Sequence, residues 1–280
     1  MSTYIEPSQI ADIACELRRD IARMFYRSRS GHFAPALSCV DIFTVLYFGG
    51  IVDTDKREMP ERDRVILSKG HACAALYATL ARAGYFPRAE LATFYQDGSR
   101  LAGHPSVELP GIETATGALG HGICFATGTA LAAKIDEASY RTYVVMGDGE
   151  LQEGSVYEAA TFAGREHLEA LTVILDANGL QASDRIENIA PLGDIAAMWR
   201  LYGWNVAEVD GHNPVALKQE LERAKAGTGK PNLIIAHTVK GKGVSIAEAS
   251  PDWHSRAPRG DEWDIVCHDL RMTREELETL

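Results

Sequence analysis

The sequence predicts an α/β fold, a mostly parallel sheet with helices on both faces, and three features lead there. Apolar runs at 142–146 (TYVVM) and 171–175 (LTVIL) are short, rich in β-formers and bounded by turn residues, as strands buried in a parallel sheet are. The stretch between them, 151–167, suits a crossover helix. The alternation then continues through a strand over 203–211, a helix around 214–226 and a strand over 232–239.

Taken in order, a first helix starts at Pro7-Ser8, where Ile10, Ile13, Leu17, Ile21 and Met24/Phe25 recur at helical spacing and form one face for the core. Ser30-Gly31-His32 ends it. A second apolar segment covers 37–49, and a polar loop follows. Residues 64–84 read as a short strand before Gly70 and a helix after it. Residues 86–116, with Pro87, Pro105 and Pro110, are expected to be irregular, and 117–135 form a glycine-rich entry to a long helix whose small residues allow close packing. At the end, Thr273 and Glu276 make a capping box for a short last helix.

Gly147-Asp148-Gly149 closes one predicted strand, and Asn178 stands just past the next. Ligands of open α/β sheets sit at the carboxyl ends of the strands, so Asp148 and Asn178 are expected to meet there as hard oxygen ligands for Mg²⁺ or Ca²⁺. An Asp between glycines is more often a turn or a helix cap than a ligand, and the distant Asn is what shifts the balance. Two side chains are few for an ion that takes about six ligands, so a carbonyl, nearest at Leu180, and diphosphate oxygens are expected to complete the shell. Gly149 lets the backbone approach an anion, and a following helix adds its N-terminal dipole. Other phosphate motifs fail. A dinucleotide fingerprint needs Gly where Gln152 stands, and Gly229-Lys230 is followed by Pro231, which has no metal-binding hydroxyl, so 227–231 is a turn.

With 280 residues, 46% hydrophobic and 24% charged, the chain can bury one large α/β core. A formal charge of −11 and a pI near 5.3 argue against a nucleic-acid surface, and Arg18, Arg19, Arg23, Arg27 and Arg29 are expected to form a solvated helix face. Cys15, Cys39, Cys73, Cys124 and Cys267 are odd in number and widely spaced, which suits reduced thiols used for packing. No charged-then-apolar leader opens the sequence, and no segment approaches about 18 uninterrupted apolar residues, so a soluble, cytoplasmic protein without a membrane partner is expected.

Six stretches, in order, resemble transketolase, a thiamine diphosphate enzyme, over nearly the whole chain. They are SGH at 30–32, LSKGHACAALYA at 67–78, AGHPSVELPGIETATGALGHG at 102–122, GDGELQEG at 147–154, DANGLQ at 176–181 and DWHSRAP at 252–258. The resemblance is to the amino-terminal, diphosphate-binding half, and implies one such domain over 1–280 with the thiamine diphosphate-binding fold. It implies that Asp148, Asn178 and the Leu180 carbonyl hold the metal (Mg²⁺, with Ca²⁺ or Mn²⁺ as substitutes), and that Gly149 and His71 contact the cofactor diphosphate. Gly117, Ala118 and Leu119 would line the cofactor cleft. His32, His104 and His254 would surround the reacting carbon and the sugar hydroxyls, where an imidazole can move protons or donate to an oxyanion. Glu153 and Glu158 match an acidic pair at the family's subunit interface. Phe33 and Ser255 stand where the family usually has Pro and Gly, departures that bear on the shape of the substrate channel.

Transketolases are more than double this length, and the remainder carries the pyrimidine-binding and carboxy-terminal domains, including a glutamate that contacts the aminopyrimidine ring. The resemblance therefore implies one subunit of a split transketolase, joined to a separate carboxy-terminal chain in an α₂β₂ assembly and transferring a two-carbon ketol unit between sugars or sugar phosphates. Two rivals share features with it: the alpha subunit of a thiamine-dependent 2-oxo acid dehydrogenase, with the same Gly-Asp-Gly and Asn pattern, and a silent partner-binding subunit. The ordered His32, His71, His104 and His254 favour transketolase over the first, and the retained metal and diphosphate positions favour it over the second.

Overall fold

The computed structural model describes residues 7–280. Five strands, β1 (Arg64–Leu67), β2 (Thr142–Gly147), β3 (Leu171–Ala177), β4 (Asn205–Asp210) and β5 (Asn232–His237), form one all-parallel sheet in the order β1-β2-β3-β5-β4. The two central apolar runs are neighbours, as their composition predicts, with Thr142 opposite Leu171 and Gly147 opposite Asp176. That register brings Asp148 and Asn178, one residue past each strand, to the same edge of the sheet.

Helices cover both faces, because alternate residues of each buried strand point to opposite sides. Tyr143, Val145, Ile174, Ile234 and Ala236 belong to a core shared with α1 (Pro7–Ser28), α2 (Phe33–Ser38), α3 (Val40–Phe48), α4 (Cys73–Arg82) and α9 (Pro214–Ala226). Val144, Met146, Val173, Leu175 and Ile235 belong to the opposite core, with α5 (His121–Ile135), α6 (Gly154–Arg165) and α8 (Ile195–Leu201). Short helices α7 (Ile186–Ile189), α10 (Glu262–Asp269) and α11 (Arg274–Leu277) complete the chain. Thr273 and Glu276 cap α11 reciprocally, as the capping box predicts.

Helix α1 buries Ile10, Leu17, Ile21, Met24 and Phe25, its predicted face, at about 1.5–3 kcal/mol for each large apolar side chain. The arginine series corrects the expectation of a solvated face at Arg18, Arg19 and Arg23, whereas Arg27 and Arg29 are exposed. Arg18 is buried against Asp41 at 2.6 Å, and Arg19 and Arg23 donate to the carbonyls of Leu270, Arg271 and Glu276. Arg27 donates to the Glu278 carbonyl. The guanidiniums of Arg19, Arg23 and Arg27 thus tie α1 to carbonyls of the carboxy-terminal turns. The second apolar segment is two helices, α2 and α3, with α2 beginning earlier, at Phe33. Helix α5 packs its small residues on one side only: Ala126, Ala130 and Ala133 are buried, while Phe125 and Ile135 are 57% and 70% exposed. Of the five free cysteines, Cys39, Cys73 and Cys267 are buried as packing residues, Cys15 is half-buried and Cys124 is exposed.

Candidate active site

The carboxyl ends of β1, β2, β3 and β5 open onto a cavity of about 500 Å³ lined by residues from eight chain segments. Tight turns bring them together. Gly120 takes a left-handed conformation (φ 78°) at the start of α5, and a Cβ on Gly122 would lie 2.4 Å from the Ser68 hydroxyl, so only glycine lets that helix end reach the tip of β1.

Asp148 is 4% exposed. Its Oδ1 accepts the Gly149 N–H at 2.9 Å and its Oδ2 the Gly179 N–H at 2.6 Å, leaving a lone pair on each oxygen. Burial, with the nearby Asp176 charge adding to it, pushes its carboxyl up to about 6. Asn178 presents Oδ1, which accepts the Leu180 N–H at 3.1 Å, and an isolated bridge between Leu180 and Arg185 holds the following loop. Asp148, Asn178 and Leu180 all line the cavity. Among the described residues no group of three or more His, Cys, Asp and Glu side chains could hold a metal ion, so a cation here has one carboxylate and neutral oxygens available.

Four imidazoles meet on the other side of the cavity. The His32 ring lies 5.2 Å from His71, 6.2 Å from His104 and 5.4 Å from His254, and His71 lies 5.1 Å from His254. Burial, then neighbouring positive groups, lowers the pKa values of His32, His71 and His254, the last to about 3. These three rings are therefore neutral near pH 7, and each can offer one N–H and one lone pair. The Nδ1 of His32 is buried without a hydrogen-bond partner, a polar atom left open in the cavity wall.

Gly117, Leu119, Gly149 and Glu153 also line the cavity. Ala118, between Gly117 and Leu119, is exposed, and its carbonyl accepts the His121 N–H at the start of α5. Glu158 lies outside the cavity, exposed on α6. Phe33 shapes no channel. It is fully buried, packing on Phe25 at 5.1 Å and on Trp253 and Trp263 at 6.3 Å.

Three buried charged residues carry no motif signal that separates them from surface charges. Lys69, inside the stretch 67–78, pairs with Asp176 and also donates to the Pro35 carbonyl at 3.1 Å. Glu150 accepts from the Ser68 hydroxyl at 2.6 Å and from the backbone N–H groups of Gly120 and Gly147 at 2.9 Å, tying three turns together. Lys240, beyond β5, donates to the Gln181 carbonyl at 2.8 Å and lies 2.9 Å from His254 Nδ1. Burial and the Lys69 charge push Lys240 down to about 8.

Residues 12–276 match the family described as transketolase, thiamine diphosphate binding domain. The chain is 40% identical over 262 residues to one subunit of the apulose-4-phosphate transketolase of Phocaeicola vulgatus, with 93% of each chain covered. It is 38% identical over 242 residues to 6-deoxy-6-sulfo-D-fructose transketolase subunit SqwG of Clostridium sp., covering 86% of this chain and 88% of that one. The transketolase structure from Campylobacter jejuni superposes with a TM-score of 0.87 at 30% identity, over 94% of this chain but 43% of that one, so this chain spans less than half of the single-chain enzyme. The parallel sheet with its flanking helices is the thiamine diphosphate-binding fold, and the chain belongs to the transketolase family, as the thiamine diphosphate binding domain.

Proposed function

We propose that this chain is the cofactor-binding subunit of a split transketolase, which transfers a two-carbon ketol unit from a ketose or ketose phosphate to an aldose with thiamine diphosphate and Mg²⁺. One observation carries the reading: Asp148, Asn178 and Leu180 line the four-histidine cavity in a chain that matches a relative named as a transketolase subunit over 93% of its length. Relatives named as transketolase subunits, matched over 93% and 88% of their own lengths, support a separate carboxy-terminal partner in an α₂β₂ assembly, with Glu153 and Glu158 on the shared face. The domain expected over 1–280 is one diphosphate-binding unit, and its unpaired thiols suit the cytoplasm.

The residues present fit the cofactor and ion. Asp148 and Asn178 keep free lone pairs toward the cavity, the donor set is all hard oxygen, and His32 Nδ1 lacks a partner. Asp148, Asn178 and the Leu180 carbonyl would hold Mg²⁺, Gly149 and His71 the diphosphate, and Gly117 and Leu119 the cleft. Thiamine diphosphate, when bound, supplies the nucleophilic carbon that takes up the ketol unit. The imidazoles of His32, His104 and His254 orient the sugar hydroxyls and accept or donate the proton that moves as the carbon–carbon bond breaks.

The test is to purify the chain alone and with the product of the neighbouring gene, then assay ketol transfer with thiamine diphosphate and Mg²⁺. Activity from the pair only is the expected result. Full activity from the isolated chain would overturn the split-subunit reading, and oxidative decarboxylation of a 2-oxo acid by the pair would replace transketolase with a dehydrogenase.

A further inference from the structure

Lys240 and His254 approach each other from two segments that are separate in the fold, the turn after β5 and the short 3-10 turn 251–253. Lys240 is 2% exposed, and its Nζ is held by the Gln181 carbonyl at 2.8 Å while lying 2.9 Å from Nδ1 of His254. An ammonium group has three donors and no lone pair, so in this contact Nδ1 must be the acceptor. A neutral imidazole that accepts at Nδ1 carries its proton on Nε2. An imidazolium would instead aim an N–H at an ammonium, bringing two positive donors together in a buried place.

We propose that Lys240 is a positioning residue that locks His254 in the tautomer protonated at Nε2, so that His254 meets the substrate side of the cavity as a hydrogen-bond donor and not as a base. Proton acceptance then belongs to His32 or His104, whose rings Lys240 does not hold. His32 Nδ1 has no partner to fix its tautomer. The low pKa of His254, from burial and from the Lys240 charge, agrees with a ring that stays neutral. The role of His254 toward a reacting sugar oxygen rests on the proposed function, whereas the tautomer itself does not.

The experiment is a long-range ¹H–¹⁵N correlation spectrum of the imidazoles in the ¹⁵N-labelled chain at pH 7, with His254 assigned by its loss in His254→Gln. The expected wild-type pattern is a protonated Nε2 and an unprotonated Nδ1, retained in Lys240→Arg, which still donates, and replaced in Lys240→Met by a mixture of the two tautomers. A wild-type ring protonated at Nδ1, or a pattern unchanged in Lys240→Met, would overturn the proposal. Should Lys240→Met fail to fold, Lys240→Leu, which likewise has no donor, is read in the same way. The spectrum needs neither cofactor nor partner, so a failure here leaves the transketolase reading standing, and a failure to bind thiamine diphosphate leaves the tautomer standing.

Discussion

Asp176 and Asp148 are both buried at the carboxyl ends of neighbouring strands, yet the protein treats them in opposite ways. Burial works against the ionised form of each, but Asp176 is answered by Lys69 and by the hydroxyls of Ser38 and Thr238, and its pKa falls below the ordinary carboxylate value. Asp148 receives only two backbone N–H groups, and its carboxyl is pushed up to about 6. A charge that gathers a cation and two hydroxyls is a structural joint, here between α2, the turn after β1, β3 and the turn after β5. A charge left short of partners beside a cavity is one that expects a cation.

Breaking the joint has the largest expected effect on folding. Lys69→Met strands the Asp176 charge in the core and is expected to cost about 3–5 kcal/mol, measured by urea unfolding. The double variant Lys69→Met/Asp176→Asn recovers most of that loss, and a single variant as stable as wild type would show that the two charges do not depend on each other. Glu150→Gln is expected to cost about 1–3 kcal/mol, because its amide end turns a donor toward the Ser68 hydroxyl or toward a backbone N–H.

Asp148→Asn is the converse case. Its expected stability change is under about 2 kcal/mol, while metal-dependent binding of thiamine diphosphate falls below detection by calorimetry, since Mg²⁺ relies on its few anionic ligands. Unchanged affinity would remove the distinction between the two carboxylates.

Smallest and most graded is the response to pH. The raised carboxyl of Asp148 contributes stability to the ligand-free chain below about pH 3.8, and this is lost as pH rises through about 6. Cation binding runs the other way, because the carboxylate must be ionised, and metal-dependent affinity is expected to fall up to about tenfold per pH unit below about 6. Asp176, with its lowered value, contributes stability above the ordinary carboxylate pKa that is lost as pH falls through its folded value. Titration of the two carboxyl carbons by NMR would separate these curves.

The parallel sheet was legible because the central strands are continuous apolar runs, and Asp148 and Asn178 because they stand two and three residues past two such runs. The fates of the arginines on α1 and of Phe33 were not legible. Arg18 and Arg29 look alike as letters, but one meets Asp41 and a carbonyl from 224 residues away, and the other stays exposed.

The sequence by itself determined the strands, the glycine turns and the types of group offered to a ligand, since these depend on local chemistry and periodicity. Only the tertiary structure decided which charges are answered: Lys69 finds Asp176 across 107 residues, Lys240 finds His254 across 14, and Asp148 is left waiting. The reason is that desolvation and pairing are properties of a place in the fold, and the same carboxylate becomes a joint or a ligand according to what is packed around it.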